Sequence, residues 1–239
     1  MKTDALKPAE RVIVALDVPD ADGAAKLIEK LGDEAVYYKV GLELFTAAGD
    51  AVLGLLRDAG KRVFLDLKFF DIPNTVERAC RSAAARGAAM TNVHALGGEA
   101  MMRAARAGVD AAGAAHPPLL IAVTILTSID EDMLRQQLHT QKSIPFFVRE
   151  LARSASACGL DGVVASGLEL PLLREHFGDE FVIVTPGIRP EWAAAGDQKR
   201  ILTPRDAFAR GASYIVIGRP VTAAPDPAAA FRRIIDEIA

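Results

Sequence analysis

The chain has 239 residues, of which 51% are hydrophobic and 25% are charged. This length allows a large buried core and still fits one α/β barrel domain. The formal net charge of −3 gives no strong field for nucleic acid or for an anionic membrane surface, so neither is expected as a partner.

The N-terminal sequence and the cysteine content indicate a soluble protein of a reducing compartment. The segment MKTDALKPAERVIVALD has no apolar stretch before a cleavage site, and no run reaches the roughly 18 apolar residues of a membrane span. The two cysteines, Cys80 and Cys158, form no CxxC pair. We expect both to be buried packing thiols, and we predict a cytoplasmic location.

Eight short apolar runs follow one another along the chain and are typical of β-strands. Most of them are continuously apolar rather than alternating, which favours parallel strands that are buried on both faces. The predicted strands are Arg11–Asp17, Ala35–Val40, Arg62–Lys68, Ala88–His94, Leu119–Thr124, Gly162–Ser166, Phe181–Thr185 and Ser213–Gly218.

Segments with helical spacing separate these strands. Val76, Cys80 and Ala83 lie on one apolar stripe of Asn74–Arg86, and Phe146–Cys158 carries a second such stripe. Eight strand–helix units without a linker predict the α/β class and a (β/α)8 TIM barrel, as a single domain over residues 1–239. A doubly wound open sheet is the alternative, although it would need an edge strand and no run is conspicuously polar.

Two connections are long, and both follow the carboxyl end of a predicted strand. They are Thr127–Ser143 and Gly187–Thr203. Barrel enzymes place their sites at this end of the strands, and long loops there often act as lids. The charges of the first connection also allow an extra surface helix, and the two interpretations are compatible.

Charged residues occur where the first three predicted strands end. Asp17 closes the first run, Lys39 lies in the second, and Asp66 and Lys68 lie in the third, with Asp71 just beyond. Because strand side chains alternate between faces, Asp66 and Lys68 share a face opposite the leucines that flank Asp66. We therefore expect both to point into the barrel mouth, where unpaired charges are costly. For Asp17, a solvated position at the start of a loop is an equally good interpretation.

Seven motifs recur in an order and spacing that point to one enzyme family. The longest is DLKFFDIPNT, and the others are LD at Asp17, YKVG at Lys39, VTILTS at Thr127, TPGIRP at Arg189, GDQ at Gln198 and VIGRP at Gly218 and Arg219. Together they span about Arg11 to Pro220, and in this respect the chain resembles the orotidine 5'-phosphate decarboxylase family. The clearest departure is Phe70, where many bacterial members have His.

The resemblance implies a cofactor-free carboxy-lyase that converts orotidine 5'-phosphate to uridine 5'-phosphate and CO2, the last step of de novo UMP synthesis. Lys68 would stabilise the developing carbanion and protonate it, with Asp66 near the substrate carboxylate. Lys39 and Asp71 would complete an alternating array that keeps each ammonium protonated. No metal is expected, because a lysine ammonium already occupies the space that a cation would need.

The resemblance also assigns substrate contacts and an oligomeric state. Asp17 and Lys39 would bind ribose hydroxyls, and Thr127 would contact the pyrimidine. Asp71 and Thr75 would reach into the site of the neighbouring subunit, which implies a homodimer with shared sites.

Four residues near the end of the chain suit a phosphate group. Arg189 and Gln198 follow the seventh predicted strand, and Gly218 and Arg219 follow the eighth. Barrels commonly bind phosphate at this position, and arginine matches the geometry of that anion. A solvated loop arginine is the alternative for Arg189.

His94 ends the fourth predicted strand. A lone histidine there is more often a core or supporting residue than a catalyst, so no part of the reaction is assigned to it. The other histidines share no metal-ligand spacing, and the sequence contains no zinc motif.

Two rival functions stay open. One is a related Mg²⁺-dependent phosphosugar barrel enzyme, of the hexulose-phosphate synthase or ketogulonate-phosphate decarboxylase type. The IPNT, LTS and PGIR segments argue against it. The other is a non-catalytic barrel that only binds a nucleotide, which the intact set of four charged residues disfavours.

Overall fold

The computed structural model describes residues 6–193 and 202–239. Eight parallel strands form a closed barrel in chain order, in which the last strand pairs with the first. The strands are β1 (Val12–Ala15), β2 (Tyr37–Gly41), β3 (Arg62–Phe69), β4 (Met90–His94), β5 (Leu119–Val123), β6 (Gly162–Val164), β7 (Val182–Thr185) and β8 (Tyr214–Ile217). Closure excludes the open doubly wound sheet, and the predicted TIM barrel is confirmed.

At least one helix follows each strand, and a short helix precedes the first strand; the helices cover the outside of the barrel. Within the described ranges they are α1 (Pro8–Arg11), α2 (Ala21–Leu31), α3 (Leu42–Ala48), α4 (Asp50–Asp58), α5 (Pro73–Ala85), α6 (Gly98–Ala111), α7 (Glu131–Gln136), α8 (Ile144–Ala157), α9 (Leu170–His176), α10 (Pro204–Ala209), α11 (Arg219–Thr222) and α12 (Pro227–Ile238). A short 3-10 helix, Ala95–Gly97, precedes α6.

The barrel wall separates two sets of buried apolar side chains. One set packs between the strands and the helices, and the other fills the barrel interior with residues such as Tyr37, Phe64 and Met90. Strand alternation decides which set a residue joins. Because every second side chain of a strand points inward, Lys39 follows Tyr37 and Asp66 follows Phe64 on the inner face of the barrel. These charged side chains therefore lie towards its carboxyl end.

The predicted strands all occur, but some of their ends differ. β1 stops at Ala15 rather than Asp17, and β6 stops at Val164 rather than Ser166. Leu16 and Ala165, the apolar residues that follow these two strands, still donate backbone hydrogen bonds to the neighbouring strand, so the apolar pattern continues one residue past each strand end. Asp17 consequently lies in the loop after β1, with a side chain 61% exposed.

The two predicted helices occur as α5 and α8. Each starts earlier than its pattern indicated, because a proline occupies the first turn of the helix. Each predicted range also ends one residue late, at the residue that caps the helix. The first long connection contains α7, which begins at Glu131. Asp130 caps this helix, because its carboxylate accepts from the backbone N–H of Met133 at 2.9 Å.

Both cysteines are buried and reduced, as expected. Burial raises the pKa of the Cys80 thiol to about 12, against a smaller opposite effect of Arg106. The Cys158 thiol contacts the backbone carbonyl of Glu99 at 3.7 Å.

In residues 6–193 and 202–239, no helix is both long enough and apolar enough to cross a membrane.

Candidate active site

Strand β3 delivers the central charges of the candidate site. Leu65 and Leu67 pack outward against the helices, which leaves Asp66 and Lys68 on the opposite face. Asp66 is 7% exposed, and the Lys68 side chain is about one third exposed. The alternation predicted from the sequence therefore places both side chains at the mouth of the barrel.

Four charged groups form a continuous chain of contacts. Lys68 Nζ donates to Asp66 Oδ1 at 2.7 Å, and Lys39 Nζ lies 3.5 Å from Asp66 Oδ2. Lys39 Nζ also donates to Asp17 Oδ1 at 3.1 Å. The two lysines thus share the carboxylate of Asp66, and Lys39 links it to the loop carboxylate of Asp17.

The Asp66 carboxylate is buried and nevertheless stabilised in its ionised form. Burial alone would raise its pKa, but the charges of Lys39 and Lys68 and hydrogen bonds from Lys68 and Asn92 outweigh that effect. The pKa of Asp66 is therefore lowered below its ordinary value. At neutral pH the carboxylate can hold both ammonium groups in place.

The backbone at this point is irregular. Leu65 pairs with Thr91 and Phe69 with Val93, so β3 carries two more residues than β4 over the same stretch. Lys68 adopts a φ of 49°, a left-handed conformation that is uncommon for a residue with a side chain. Its backbone N–H donates to Asn92 Oδ1 at 2.8 Å. Asn92 was not among the predicted site residues, although it shares the inward-facing alternation of Met90 on β4, which could have identified it.

Asp71 lies apart from the other charges within one chain. Its side chain is exposed, and its Oδ1 accepts from the backbone N–H of Ile72 at 2.6 Å. In the described part of the chain, no ion pair joins Asp71 to Lys39 or Lys68. Thr75 is also exposed, in the first turn of α5. Both residues sit on the surface beside the barrel mouth.

Two adjoining cavities open at the charged end of the barrel, each of about 170 Å³. The first is mainly apolar, and Thr127 is one of its lining residues. Its lining consists of Lys39, Phe64, Asp66, Lys68, Val123, Ile125, Leu126, Thr127, Val164, Ala165, Val184, Pro186 and Val216. The second shares Lys39, Pro186 and Val216 with the first and is lined by Asp17, Arg189 and Arg219. Together they offer an apolar compartment next to a cationic one.

The cationic compartment is built from the loops after β7 and β8. Arg189 is 7% exposed, and Gly218 and Arg219 lie directly after β8. The backbone N–H of Arg189 donates to the carbonyl of Leu202 at 3.0 Å, which ties the two ends of the β7 loop together. Gln198 lies outside the described residues.

A larger cavity, of about 460 Å³, occupies the opposite end of the barrel. It is lined by the first residues of several strands, including Leu119, Val182 and Tyr214. Barrel enzymes carry out their chemistry at the carboxyl ends of the strands. We therefore assign the site to the smaller cavities beside Asp66 and Lys68.

His94 is buried under an exposed aromatic ring. The ring of Phe70 stacks on it with centroids 5.5 Å apart, and His94 Nδ1 accepts from the backbone N–H of Leu96 at 3.4 Å. Burial, followed by the charge of Lys68, lowers the pKa of His94 below its ordinary value. The neutral ring is thus a packed neighbour of the site.

Among the described residues, no three His, Cys, Asp or Glu side chains are grouped to hold a metal ion.

Comparison with known proteins gives a consistent result over nearly the whole chain. A family model described as "Orotidine 5'-phosphate decarboxylase / HUMPS family" matches residues 10–234. A protein of Moorella thermoacetica named orotidine 5'-phosphate decarboxylase is 52% identical over 232 residues, which are 96% of this chain and 92% of that protein. One of the same name from Alkalilimnicola ehrlichii is 53% identical over 229 residues, covering 96% of each chain.

The fold comparison agrees with the sequence comparison. The crystal structure of orotidine 5'-phosphate decarboxylase from Lactobacillus acidophilus matches with a TM-score of 0.85 and 44% sequence identity. The match covers 95% of this chain and 98% of that one. This chain therefore belongs to the orotidine 5'-phosphate decarboxylase / HUMPS family.

Proposed function

We propose that this chain removes CO2 from orotidine 5'-phosphate and releases uridine 5'-phosphate. The observation that carries the proposal is the contact between the Lys68 ammonium and the buried Asp66 carboxylate, 2.7 Å apart, at the wall of an apolar cavity. A reaction that creates negative charge on carbon needs a fixed cation and a proton donor, and one lysine can serve as both.

The chemistry follows from the positions of the two groups. When the bond between the pyrimidine carbon and the carboxylate breaks, its electron pair stays on the ring carbon. The Lys68 ammonium would stabilise that charge and then donate a proton to the carbon, leaving a neutral amine that takes up a proton from solvent. A substrate carboxylate beside Asp66 would be repelled by its charge, and the repulsion would end as neutral CO2 leaves.

The remaining groups suit the other parts of the nucleotide. Lys39 lines both compartments and Asp17 lines the cationic one, and these two residues would bind ribose hydroxyls. Thr127 borders the apolar compartment, where the pyrimidine would lie. Arg189, with Arg219 and the Gly218 backbone, would bind the phosphate, and Gln198 is proposed to join them.

The proposed active form is a homodimer in which Asp71 and Thr75 complete the partner's site. Phe70 and Ile72 flank Asp71 and are 60% and 66% exposed. Large apolar side chains exposed on both sides of a carboxylate are typical of a surface that another protein covers. An isologous two-fold contact would place each Asp71 near the Lys68 of the other subunit.

A cytoplasmic location stays a prediction.

Wild-type protein is expected to decarboxylate orotidine 5'-phosphate in EDTA at its full rate. The measurement is the fall in substrate absorbance after addition of protein from which metals have been stripped. The Mg²⁺-dependent phosphosugar enzyme would lose its activity in EDTA and regain it with Mg²⁺. A nucleotide-binding barrel without catalytic function would bind uridine 5'-phosphate and show no turnover.

Replacement of Arg219 by alanine is expected to lower kcat/KM for orotidine 5'-phosphate about 10- to 100-fold, because charge-assisted hydrogen bonds to phosphate are lost. Binding energy from the remote phosphate also supports the chemical step, so kcat should fall as well as substrate affinity. The phosphate-free nucleoside orotidine should react equally slowly with the wild type and the variant. An equal loss with both substrates would mean that Arg219 has a structural role.

The matched control for this experiment is Arg232→Ala. Arg232 lies on α12 and pairs with Glu34 at 2.9 Å, away from the residues that line either cavity. Its removal takes away the same charge from the whole molecule. It should leave kcat/KM for both substrates at the wild-type value.

A further inference from the structure

The irregular segment of β3 faces a single polar residue of β4. Asp66, Leu67 and Lys68 all lie between the pairs Leu65–Thr91 and Phe69–Val93, and only Asn92 lies between them on β4. Bulges of this kind redirect side chains and often occur next to active sites. The ordinary backbone ladder is interrupted where the two central charged residues of the proposed reaction are placed.

The amide of Asn92 spans this bulge with two hydrogen bonds. Its Nδ2 donates to Asp66 Oδ1 at 2.7 Å, and its Oδ1 accepts from the backbone N–H of Lys68 at 2.8 Å. The orientation is fixed by chemistry, since a carboxylate only accepts and a backbone N–H only donates. Asn92 is completely buried, so water does not compete for either bond.

Each of the two bonds constrains a different part of the catalytic pair. The first holds the Asp66 oxygen that also contacts Lys68 Nζ. The second gives the backbone N–H of Lys68 a hydrogen-bond acceptor that the interrupted pairing with β4 does not provide. Lys68 is in a left-handed conformation at this point, with φ at 49°. Such conformations persist only where the surroundings determine them.

We propose that Asn92 is a positioning residue for the decarboxylation, fixing the Asp66 carboxylate and the Lys68 backbone in one geometry through a single amide. The inference rests on the proposed function, because it concerns how the same pair of residues is aligned. Asn92 would act through Asp66 and Lys68, without itself taking part in proton transfer. Neither aspartate in its ionised form nor leucine can replace it, since the first lacks the donor and the second lacks both groups.

The test compares Asn92→Leu with the neighbouring Thr91→Val. Thr91 is equally buried on the same strand, and its hydroxyl donates to the β3 backbone at the Leu65 carbonyl, 3.2 Å away. Asn92→Leu should lower kcat about 100-fold with little change in KM, because misplacement of reacting groups by about 1 Å has effects of that size. Thr91→Val should lose only stability. Equal kcat values for the two variants would refute the proposal.

The variant Asn92→Asp adds a pH profile that a purely structural role would not produce. In its protonated form, the introduced carboxyl group has one donor and one acceptor and can restore both bonds, whereas the ionised form cannot. Asn92 contacts Asp66 and the backbone of Lys68 on β3. Lys39 on β2 pairs with the same Asp66, and the charge of Lys68 acts on His94 of β4. We expect kcat of this variant to fall with rising pH through an ionisation that the wild type and Thr91→Val lack. Parallel profiles for all three proteins would contradict the role.

A crystal structure of Asn92→Leu separates this inference from the proposed function. Lys68 should leave the left-handed region, and its contact with Asp66 should lengthen from 2.7 Å. Retention of both features would overturn the proposal whatever the turnover is. If the wild type itself does not act on orotidine 5'-phosphate, the proposed function fails, while the structure of the variant still decides whether Asn92 sets this geometry.

Discussion

Replacement of Lys68 by alanine is expected to lower kcat for orotidine 5'-phosphate by at least about 10⁴-fold. Loss of a general acid costs about 10²–10⁴-fold, and loss of a fixed charge that stabilises the transition state costs a further 10²–10³-fold or so. Both effects arise from the same ammonium, which lies 2.7 Å from Asp66 at the wall of the apolar cavity. The measurement is single-turnover decarboxylation at saturating enzyme.

The barrel of this variant should remain folded. Asp66 would still contact Lys39 at 3.5 Å and accept from Asn92 at 2.7 Å, so its charge would not be left without partners. Circular dichroism, Tm and affinity for uridine 5'-phosphate provide the check. The matched control is Lys61→Ala, which removes an ammonium bonded to the Gly32 carbonyl at the other end of β3 and should preserve kcat. A Lys68→Ala protein with a tenth of wild-type kcat would exclude the proposed role.

The sequence predicted the barrel and the direction of its central charges because both depend on local alternation. In DLK, a period of two places Asp66 and Lys68 on one face, and eight apolar runs separated by helical segments limit the fold to very few topologies. On β2 the same alternation points Lys39 inward, where it contacts Asp66 and Asp17. Strand ends were less predictable, since pairing at the mouth depends on barrel curvature rather than on local composition.

The backbone geometry of the site could not be predicted in the same way. A left-handed φ is usually signalled by glycine or asparagine, and the segment FLDLKFF contains neither. The conformation of Lys68 depends on the bulge opposite Asn92, a residue 24 positions away in the sequence. The alternation of side chains along β4 could identify Asn92 as inward-facing. Its two hydrogen bonds could not be predicted, because they depend on how β3 and β4 pair in the structure.

Asp71 is the residue whose role depends most on a second subunit. Sequence motif and exposed position are consistent with a shared site, yet one chain contains only half of the proposed arrangement. Within the described residues, Asp66 and Lys68 are in contact whereas Asp71 is not paired with either lysine. Asp71 could act with the Lys68 of its own chain or with the Lys68 of the partner. Dimers of defined subunit composition distinguish these two cases.

Mixing Lys68→Ala and Asp71→Ala proteins, after dissociation and reassociation, is expected to restore activity to roughly a quarter of the wild-type level. In a mixed dimer of the proposed kind, one site carries both defects and the other carries neither. Random pairing makes about half of the dimers mixed, and one of their two sites is intact, which gives the expected fraction. Activity per total protein is measured before and after mixing, and differently tagged subunits report how many mixed dimers form.

The control mixture combines Lys68→Ala with Asp66→Asn. These two residues contact each other within one chain, so each site of the mixed dimer has one defect and activity should not recover. Recovery in the first mixture and none in the second would require that Asp71 crosses the interface while Asp66 does not. If tagged mixed dimers form and the Lys68→Ala and Asp71→Ala mixture stays as inactive as its components, Asp71 serves its own subunit and the shared-site proposal fails.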